Sequence, residues 1–354
     1  MRDAVSSVHD GLSPGYDVLV VGGGPIGLAT ACYAAEAGLS VVVAEPRSGP
    51  IDKACGEGLM PPAVAALGAL GVDPAGQRLR GIRYRDAGHS VDAEFRSGPG
   101  RGVRRTVLHS ALAKQAESAG VEVMSERVTE FRQSAGGVEA SGITARYLVA
   151  ADGLHSPIRR VCGLEPPPAR HARYGLRRHF QTAPWTDFVE VHWSAGSEAY
   201  VTPVDDGLVG VAILGPPGAG FEDRLAEFPE LRDRLAGATA GPVRGAGPLR
   251  QAVRRRVAPG GRVLLVGDAS GYVDALTGEG ISVGLAQARA LAACLAAGRP
   301  GDYERRWRQV SRRSNLLTAG LLAARRNPVL GPRIVPAAGA LPAVFAGAVR
   351  LITG

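Results

Sequence analysis

The chain predicts an α/β fold, α+β overall: one domain of βαβ units on a parallel sheet, a second built on an antiparallel sheet, and a helical C-terminal segment. Three observations carry this expectation. A glycine-rich turn near the start joins an apolar run to a small-residue helix, polar and apolar residues alternate through residues 171–214, and a late apolar run at Val263–Val266 repeats the first pattern.

From Tyr16 to Glu45 the chain reads strand, turn, helix, strand. Val18–Val21 is the first strand, Leu28–Ala37 the helix, Gly38 its stop, and Val41–Ala44 the second strand. A short Ala/Leu helix is expected over residues 61–70 and another over His109–Ala119, which Gly120 ends before the strand Val121–Met124. Tyr147–Ala150 reads as a buried strand running into a turn. The segments FVEVHW, AYVTPV and LVGVAIL then form the antiparallel sheet, with a turn at Asp205-Asp206-Gly207. After Val263–Val266 comes a long helix over Ile281–Ala297, and the tail beyond Asp302 is helical and increasingly apolar. The first domain is therefore discontinuous, over residues 1–69, 104–165 and 250–300. Residues 70–103 and 166–249 form the sheet domain, and 301–354 a C-terminal helical cap.

Composition narrows the function classes. The chain has 354 residues and a net charge of +8, yet Lys53 and Lys114 are its only lysines and its arginines are scattered. With aromatics at 5%, no basic patch interleaved with stacking residues is visible, which argues against nucleic-acid binding. Cys32, Cys55, Cys162 and Cys294 form no CxxC pair and no cluster with histidine, so neither a metal site nor a disulfide framework is expected. Residues 1–14 lack the charged and apolar blocks of an export signal and read as a loose leader. A cytoplasmic location follows as the expectation.

Gly22-Gly23-Gly24-Pro25-Ile26-Gly27 stands where a strand hands over to a helix, the context in which G-x-G-x-x-G is a dinucleotide-binding, Rossmann-like turn. Gly22 permits the turn, Gly24 lets backbone approach a pyrophosphate, and Gly27 lets helix and sheet pack closely. Glu45 ends the second strand, where a carboxylate accepts hydrogen bonds from an adenosine ribose. Gly22, Gly24, Pro25, Ile26, Gly27, Glu45 and Arg47 make the first group of expected cofactor-binding residues.

Two later segments choose the cofactor. ADGLHSPIR, with Asp152, Gly153, Ser156 and Arg159, resembles the DG motif of the flavoprotein aromatic hydroxylases. LLVGDASGYVDALTGEGI, with Gly267, Asp268, Gly278 and Gly280, resembles their GD motif. Over residues 16–297 the chain thus resembles the superfamily that joins the p-hydroxybenzoate hydroxylase-like (group A) flavoprotein monooxygenases and the geranylgeranyl reductases. The resemblance implies FAD, with Asp268 at its ribityl or ribose hydroxyls and Arg105 beside it. Gly278 and Gly280 open the helix that starts near Ile281, and its N-terminal amides suit the negative charge of a reduced flavin. Asp52–Pro61, DKACGEGLMP, is similar to a signature of the reductases and their monooxygenase relatives. It places Cys55 and Gly56 near the ring, Cys55 being the one candidate for a catalytic role, with Glu57 as a polar contact. Gly271, Asp274 and Ala275 depart from the hydroxylases' His and Pro and lie closer to the reductases, and Ser282 replaces their Asn.

No second G-x-G-x-x-G opens a helix; GPPGAG at 215–220 has a proline pair in the way. NADPH or NADH is accordingly expected as a transient reductant without a domain of its own. On the sheet, His179, His192, Trp193, Tyr200 and Pro203, with Trp185, are candidates to line an apolar substrate pocket. Residues 334–352 approach the length of a membrane span, but Pro336, Pro342 and Arg350 interrupt it. A cap over the substrate entrance is the first reading, and peripheral contact at the inner membrane face the second. The activity expected first is monooxygenation: hydroxylation or epoxidation of an apolar or phenolic small molecule by oxygen added at flavin C4a. The alternatives are a reductase of isoprenoid carbon–carbon double bonds and a non-catalytic FAD-binding protein.

Overall fold

The computed structural model describes residues 15–166 and 172–353, so the expected leader lies outside the described residues. A seven-stranded sheet forms the first layer. Its parallel part runs, in spatial order, Glu122–Met124, Val41–Ala44, Tyr16–Val21, Ile143–Ala150 and Val263–Leu265. The strands Val138–Ala140 and Arg132–Gln133 extend it in antiparallel fashion. Inside the edge strand Glu122–Met124, which is largely exposed, both faces of the parallel strands are buried, which is why they read as apolar runs. The helices Pro25–Glu36, Arg105–Ser118 and Gly280–Ala296 cover one face.

The second layer is an eight-stranded sheet. Tyr174–Gln181, Leu208–Gly215, Glu198–Asp205 and Phe188–Trp193 are mutually antiparallel in that spatial order. The antiparallel sheet expected over residues 171–214 is extended at one edge by Gly81–Arg85, which pairs in parallel with Phe188–Trp193. The long connection between these two strands, which passes through the parallel-sheet layer, permits that direction. Val189, Val191, Trp193, Tyr200, Ala212 and Leu214 share one face with Met60, Leu276 and the C-terminal helices. Ala199, Val201, Val209, Val211 and Ile213 share the other with Phe221, Leu225 and Phe228.

The C-terminal segment folds as the helices Tyr303–Arg326, Ile334–Ala340 and Pro342–Thr353. Leu322, Val335, Phe345 and Val349 bury against the first face of the sheet domain, so these helices roof it. No single described helix is long and apolar enough to cross a membrane. The pair Gly331–Ala340 and Pro342–Leu351 has the composition for it but is bent by 107°.

One helix boundary departs from the expectation. The helix expected from His109 begins a turn earlier, at Arg105. The first-turn amide of Arg105 is satisfied at 2.8 Å by Glu57 Oε1, a cap supplied from 48 residues away that no local pattern announces.

Candidate active site

Four parallel strands end at one edge of the first sheet, and each runs out into a segment singled out by the sequence. Tyr16–Val21 leads to Gly22, Val41–Ala44 to Glu45, Ile143–Ala150 to Asp152-Gly153, and Val263–Leu265 to Gly267-Asp268. The carboxyl ends of parallel strands are where open α/β sheets bind ligands.

The glycine-rich turn is built by contacts that exclude side chains. Gly22 has φ +105°, and a Cβ on it would stand 2.6 Å from the Ala151 carbonyl oxygen. A Cβ on Gly27 would stand 1.9 Å from the Gly22 oxygen, so helix and strand touch through backbone. The helix opens at Pro25 with no side-chain cap and no acidic residue in its first turn, which leaves its leading amides and positive dipole end for an anion. Ile26 packs between Gly267, at the end of the Val263–Leu265 strand, and Gly284. His109 Nε2 lies 3.0 Å from the Gly23 carbonyl oxygen; the bond ties the turn to the Arg105–Ser118 helix. Burial lowers the His109 pKa, which keeps the ring neutral with its Nε2–H donating to that carbonyl.

Glu45 is buried and accepts from the Gly23 amide at 2.8 Å and from Arg47 Nε at 2.7 Å. Burial pushes its carboxyl up, but the bonds from Arg47 and the Gly23 amide prevail and hold the pKa below the ordinary value. Around it gather cations. The Arg105 guanidinium lies 3.8 Å from the position a Gly24 Cβ would take, and Lys53 Nζ 3.6 Å from that of Gly153. Burial, then Arg47 and Arg105, depress the Lys53 pKa, against the pull of Asp268 and Glu45. This excess of positive charge beside an amide cradle suits a pyrophosphate.

Asp152 accepts from the Ile158 amide through Oδ2 at 3.2 Å, while its buried Oδ1 finds no partner among the described residues. The Arg105 Nε is likewise buried and unpartnered. Orphaned polar atoms at both ends of such a cradle fit an extended dinucleotide carrying donors and acceptors. Arg159, 1% exposed, locks the DG and GD segments together, donating to the carbonyls of Leu154 at 2.9 Å and Ala269 at 3.1 Å and to Gln251 Oε1 at 3.1 Å. Gly267 takes φ +61° and donates its amide to Gln287 Oε1 at 3.0 Å. Asp268 is exposed, with Arg105, Lys53 and Arg159 as its electrostatic neighbours.

The GD segment continues to Gly278, at φ +68°, and to the uncapped N-terminus of the Gly280–Ala296 helix. Gly278 and Gly280 are exposed, and Ile281 is half-buried behind them. The Tyr272 hydroxyl oxygen lies 3.5 Å, and its ring 3.6 Å, from the position of a Gly280 Cβ. Between Gly278 and Gly280, Glu279 is buried, and burial pushes its pKa up to about 7 against the bond from Ser314.

The Cys55–Gly58 segment is clamped from below by the second sheet. Thr202 donates to the Gly56 carbonyl at 2.8 Å. Glu57 holds a left-handed φ of +59° and is buried, with Oε1 on the Arg105 amide and Oε2 2.6 Å from His179 Nε2. Arg177, 1% exposed, donates to His179 Nδ1 at 2.9 Å and to Asp52, which Arg244 also binds at 3.1 Å. A guanidinium only donates, so His179 Nδ1 accepts and its Nε2–H points at Glu57. Cys55 itself makes one weak contact, accepting from the Glu57 amide at 3.4 Å.

The pleat divides the expected pocket residues. Trp193 and Tyr200 stand on the roofed apolar face, Tyr200 donating to the Leu276 carbonyl at 2.6 Å and Trp193 stacking 5.2 Å from Tyr84. His179 shares that face but is buried beneath Glu57. His192 points to the opposite face, against Glu190 at 3.3 Å and Phe228, and Trp185 joins it by donating to Glu190 at 3.1 Å. Pro203 follows Ala199 and Val201 to that same opposite face. These three therefore do not join Trp193 and Tyr200. Sequence reading missed His109, Arg177 and the Glu57 clamp; only the position of Glu57 between two glycines hinted at it.

Comparison with known proteins agrees with this geometry. Residues 15–208 match the family model described as FAD binding domain. The menaquinone reductase of Mycolicibacterium smegmatis is 32% identical over 326 residues, covering 82% of this chain and 79% of that protein. Digeranylgeranylglycerophospholipid reductase 1 of Methanopyrus kandleri is 31% identical, covering 76% of this chain and 77% of its own. Among solved structures, the flavin-dependent brominase Bmp2 superposes with a TM-score of 0.79 at 18% identity, covering 96% of this chain and 93% of its own, a likeness of fold. The Streptomyces rimosus anhydrotetracycline hydroxylase OxyS does so at 0.72 and 21% identity, covering 96% of this chain and 75% of its own. The chain thus belongs to the FAD-binding flavoprotein family that includes these reductases, and it is an FAD-dependent oxidoreductase.

Proposed function

We propose that this oxidoreductase reduces a carbon–carbon double bond in the isoprenoid part of a lipophilic small molecule, with NADPH or NADH as its reductant. The observation that carries the reading is the Cys55–Gly58 segment. It is similar to a signature that the reductases share with their monooxygenase relatives, and Glu57, Thr202 and His179 fix it beside the apolar face that the C-terminal helices roof. The reductases' identity of 31–32% over most of their length supports the same choice. Relative to the sequence reading alone, this moves the reductase ahead of the monooxygenase.

In this reading the Gly22–Gly27 turn and Arg105 hold the pyrophosphate, and Glu45, released in part from Arg47, takes the adenosine ribose. Asp268 and Asp152 meet the remaining hydroxyls, and the Gly280 helix end supports negative charge on the ring. FAD, when bound, would supply a hydride, and a proton from solvent would complete the addition. The chain's own part is to orient the alkene on the apolar face of Trp193, Tyr200, Ala212 and Leu214 and to keep water from it. Peripheral membrane contact belongs to the same proposal: Val329 and Leu330 just before the bent C-terminal pair, Leu341 at its break and Val344 in its second helix are 50–65% exposed, beside Arg333.

The test is anaerobic. Reduced holoenzyme mixed with a polyprenyl quinone or polyprenyl phospholipid is expected to reoxidise while the lipid gains two hydrogens by mass. Incorporation of an oxygen atom under air, with no anaerobic turnover, would return the assignment to a monooxygenase. Flotation with anionic vesicles tests the membrane contact, and failure to float would remove it.

A further inference from the structure

We infer a second ligand site, for the phosphate end of an amphiphilic small molecule, in the cavity between the GD segment and the Tyr303–Arg326 helix. The cavity has a volume of about 450 Å³, within the range of small-molecule sites. Tyr272, Val253 and Leu322 give it an apolar floor, and Arg250, Arg256 and Arg326 stand around it; its lining contains no acidic residue.

The three arginines differ in a way that suits a ligand. Arg256 is built into the wall, stacked 3.6 Å above the Trp307 ring, with Nε donating to the Ser270 carbonyl at 3.1 Å and Nη1 donating to Glu304 Oε1 at 3.3 Å. Trp307 is anchored in turn by its own bond to Ser270 Oγ at 2.8 Å. Arg250 and Arg326 are exposed and have no side-chain hydrogen bond or ion pair among the described residues. The acid that feels Arg326 is Asp274, which is buried behind the wall and paired with Arg173 at 3.7 Å. Two guanidinium groups without protein partners among the described residues, beside a third that is held in the wall by Glu304 and Trp307, match the several oxygens of a phosphate ester.

The apolar floor sets the rest of the ligand. Tyr272 and Leu322 belong at once to this cavity and to the apolar cluster under the second sheet, and the other edge of the Tyr272 ring meets the Gly280 helix end. A molecule held here by its phosphate would lie one aromatic ring away from the candidate flavin position. Two sources share that chemistry: a polyprenyl phosphate or diphosphate, and a phosphorylated nicotinamide dinucleotide. The inference stands whichever reaction the enzyme performs.

The test is calorimetric titration of the FAD-loaded enzyme with inorganic pyrophosphate, geranylgeranyl diphosphate, geranylgeraniol, NADPH and NADH. Pyrophosphate is expected to bind, and R250A/R326A to weaken it by about tenfold or more while flavin content stays unchanged. Ala319→Trp, which fills the cavity with the arginines intact, is expected to abolish binding of the larger ligands. A preference for the diphosphate over geranylgeraniol assigns the site to a lipid head, and one for NADPH over NADH assigns it to the reductant. The inference is overturned if wild-type enzyme binds none of the phosphate compounds, or if the double variant and A319W bind them as wild type does.

Discussion

Replacing Glu57 probes the clamp more directly than any other change. Glu57→Ala removes the acceptor of two buried bonds, to the Arg105 amide at 2.8 Å and to His179 Nε2 at 2.6 Å. Bonds to a charged group contribute about 1.5–3 kcal/mol each, and each buried neutral donor left without its acceptor costs about 1–3 kcal/mol. Alanine must also hold φ +59°, which costs an L-residue about 1–2 kcal/mol. Glu57→Ala is therefore expected to lose about 4 kcal/mol, and Glu57→Gly to recover about 1 kcal/mol of it, because glycine takes the left-handed conformation freely. Glu57→Gln is expected to be nearly as harmful as alanine. Its amide would present N–H to the His179 Nε2–H, and Arg177 prevents the ring from exchanging tautomers. Urea unfolding of the flavin-loaded protein, followed by circular dichroism and by flavin release, measures all three. A wild-type midpoint for the glycine variant would refute the role of the carboxylate, and alanine at or above glycine would refute the strain.

Other expectations follow from the same geometry. Gly27→Ala drives a Cβ into the Gly22 carbonyl and should yield colourless protein, read as flavin absorbance per mole purified. Glu45→Gln should raise the dissociation constant for FAD by roughly tenfold, one charged hydrogen bond's worth, and lower fold stability by circular dichroism as well, because both Glu45 oxygens accept from donors and the amide N–H would face one of them. Glu279 titrates at about 7 in the folded chain, above the ordinary carboxyl value, so the folded state holds the proton that the unfolded state releases. Stability should then fall as pH rises from about 4.5 to 7, by at most roughly 3 kcal/mol, and Glu279→Gln should flatten that window in pH-resolved unfolding. Cys55→Ala should retain FAD fully, since its sulfur makes a single weak contact; loss of alkene reduction in that variant would mark the thiol as catalytic rather than pocket-shaping.

The parts legible in the sequence are those whose physics is local. A strand, a glycine turn and a helix in succession carry their own pattern, so the Gly22–Gly27 turn, Glu45 and the two later motifs stand where the chain order put them. The antiparallel sheet was legible as elements, but its parity was not. Alternation says that neighbours point apart without saying which of them points inward, and His192, Pro203 and Trp185 were read with the wrong neighbours for that reason. The early start of the Arg105 helix and the Glu57–His179 bond depend on residues 48 and 122 positions apart, beyond any local window.

That parity bears on how the enzyme could be retuned. Val189, Val191 and Trp193 alternate with Phe188, Glu190 and His192 along one strand, and only the first set meets the roofed face. The second set is spent on holding the sheet to its neighbours, through Arg83, Phe228 and Trp185. If the roofed face receives the substrate as proposed, a combinatorial library confined to Val191, Trp193, Ala212 and Leu214 would act on that face alone. The same number of changes one residue out of step would fall on the contacts to Arg83, Phe228 and Trp185 instead. The two faces are thus written on alternate letters of the same words, and a set of substitutions can address one without touching the other.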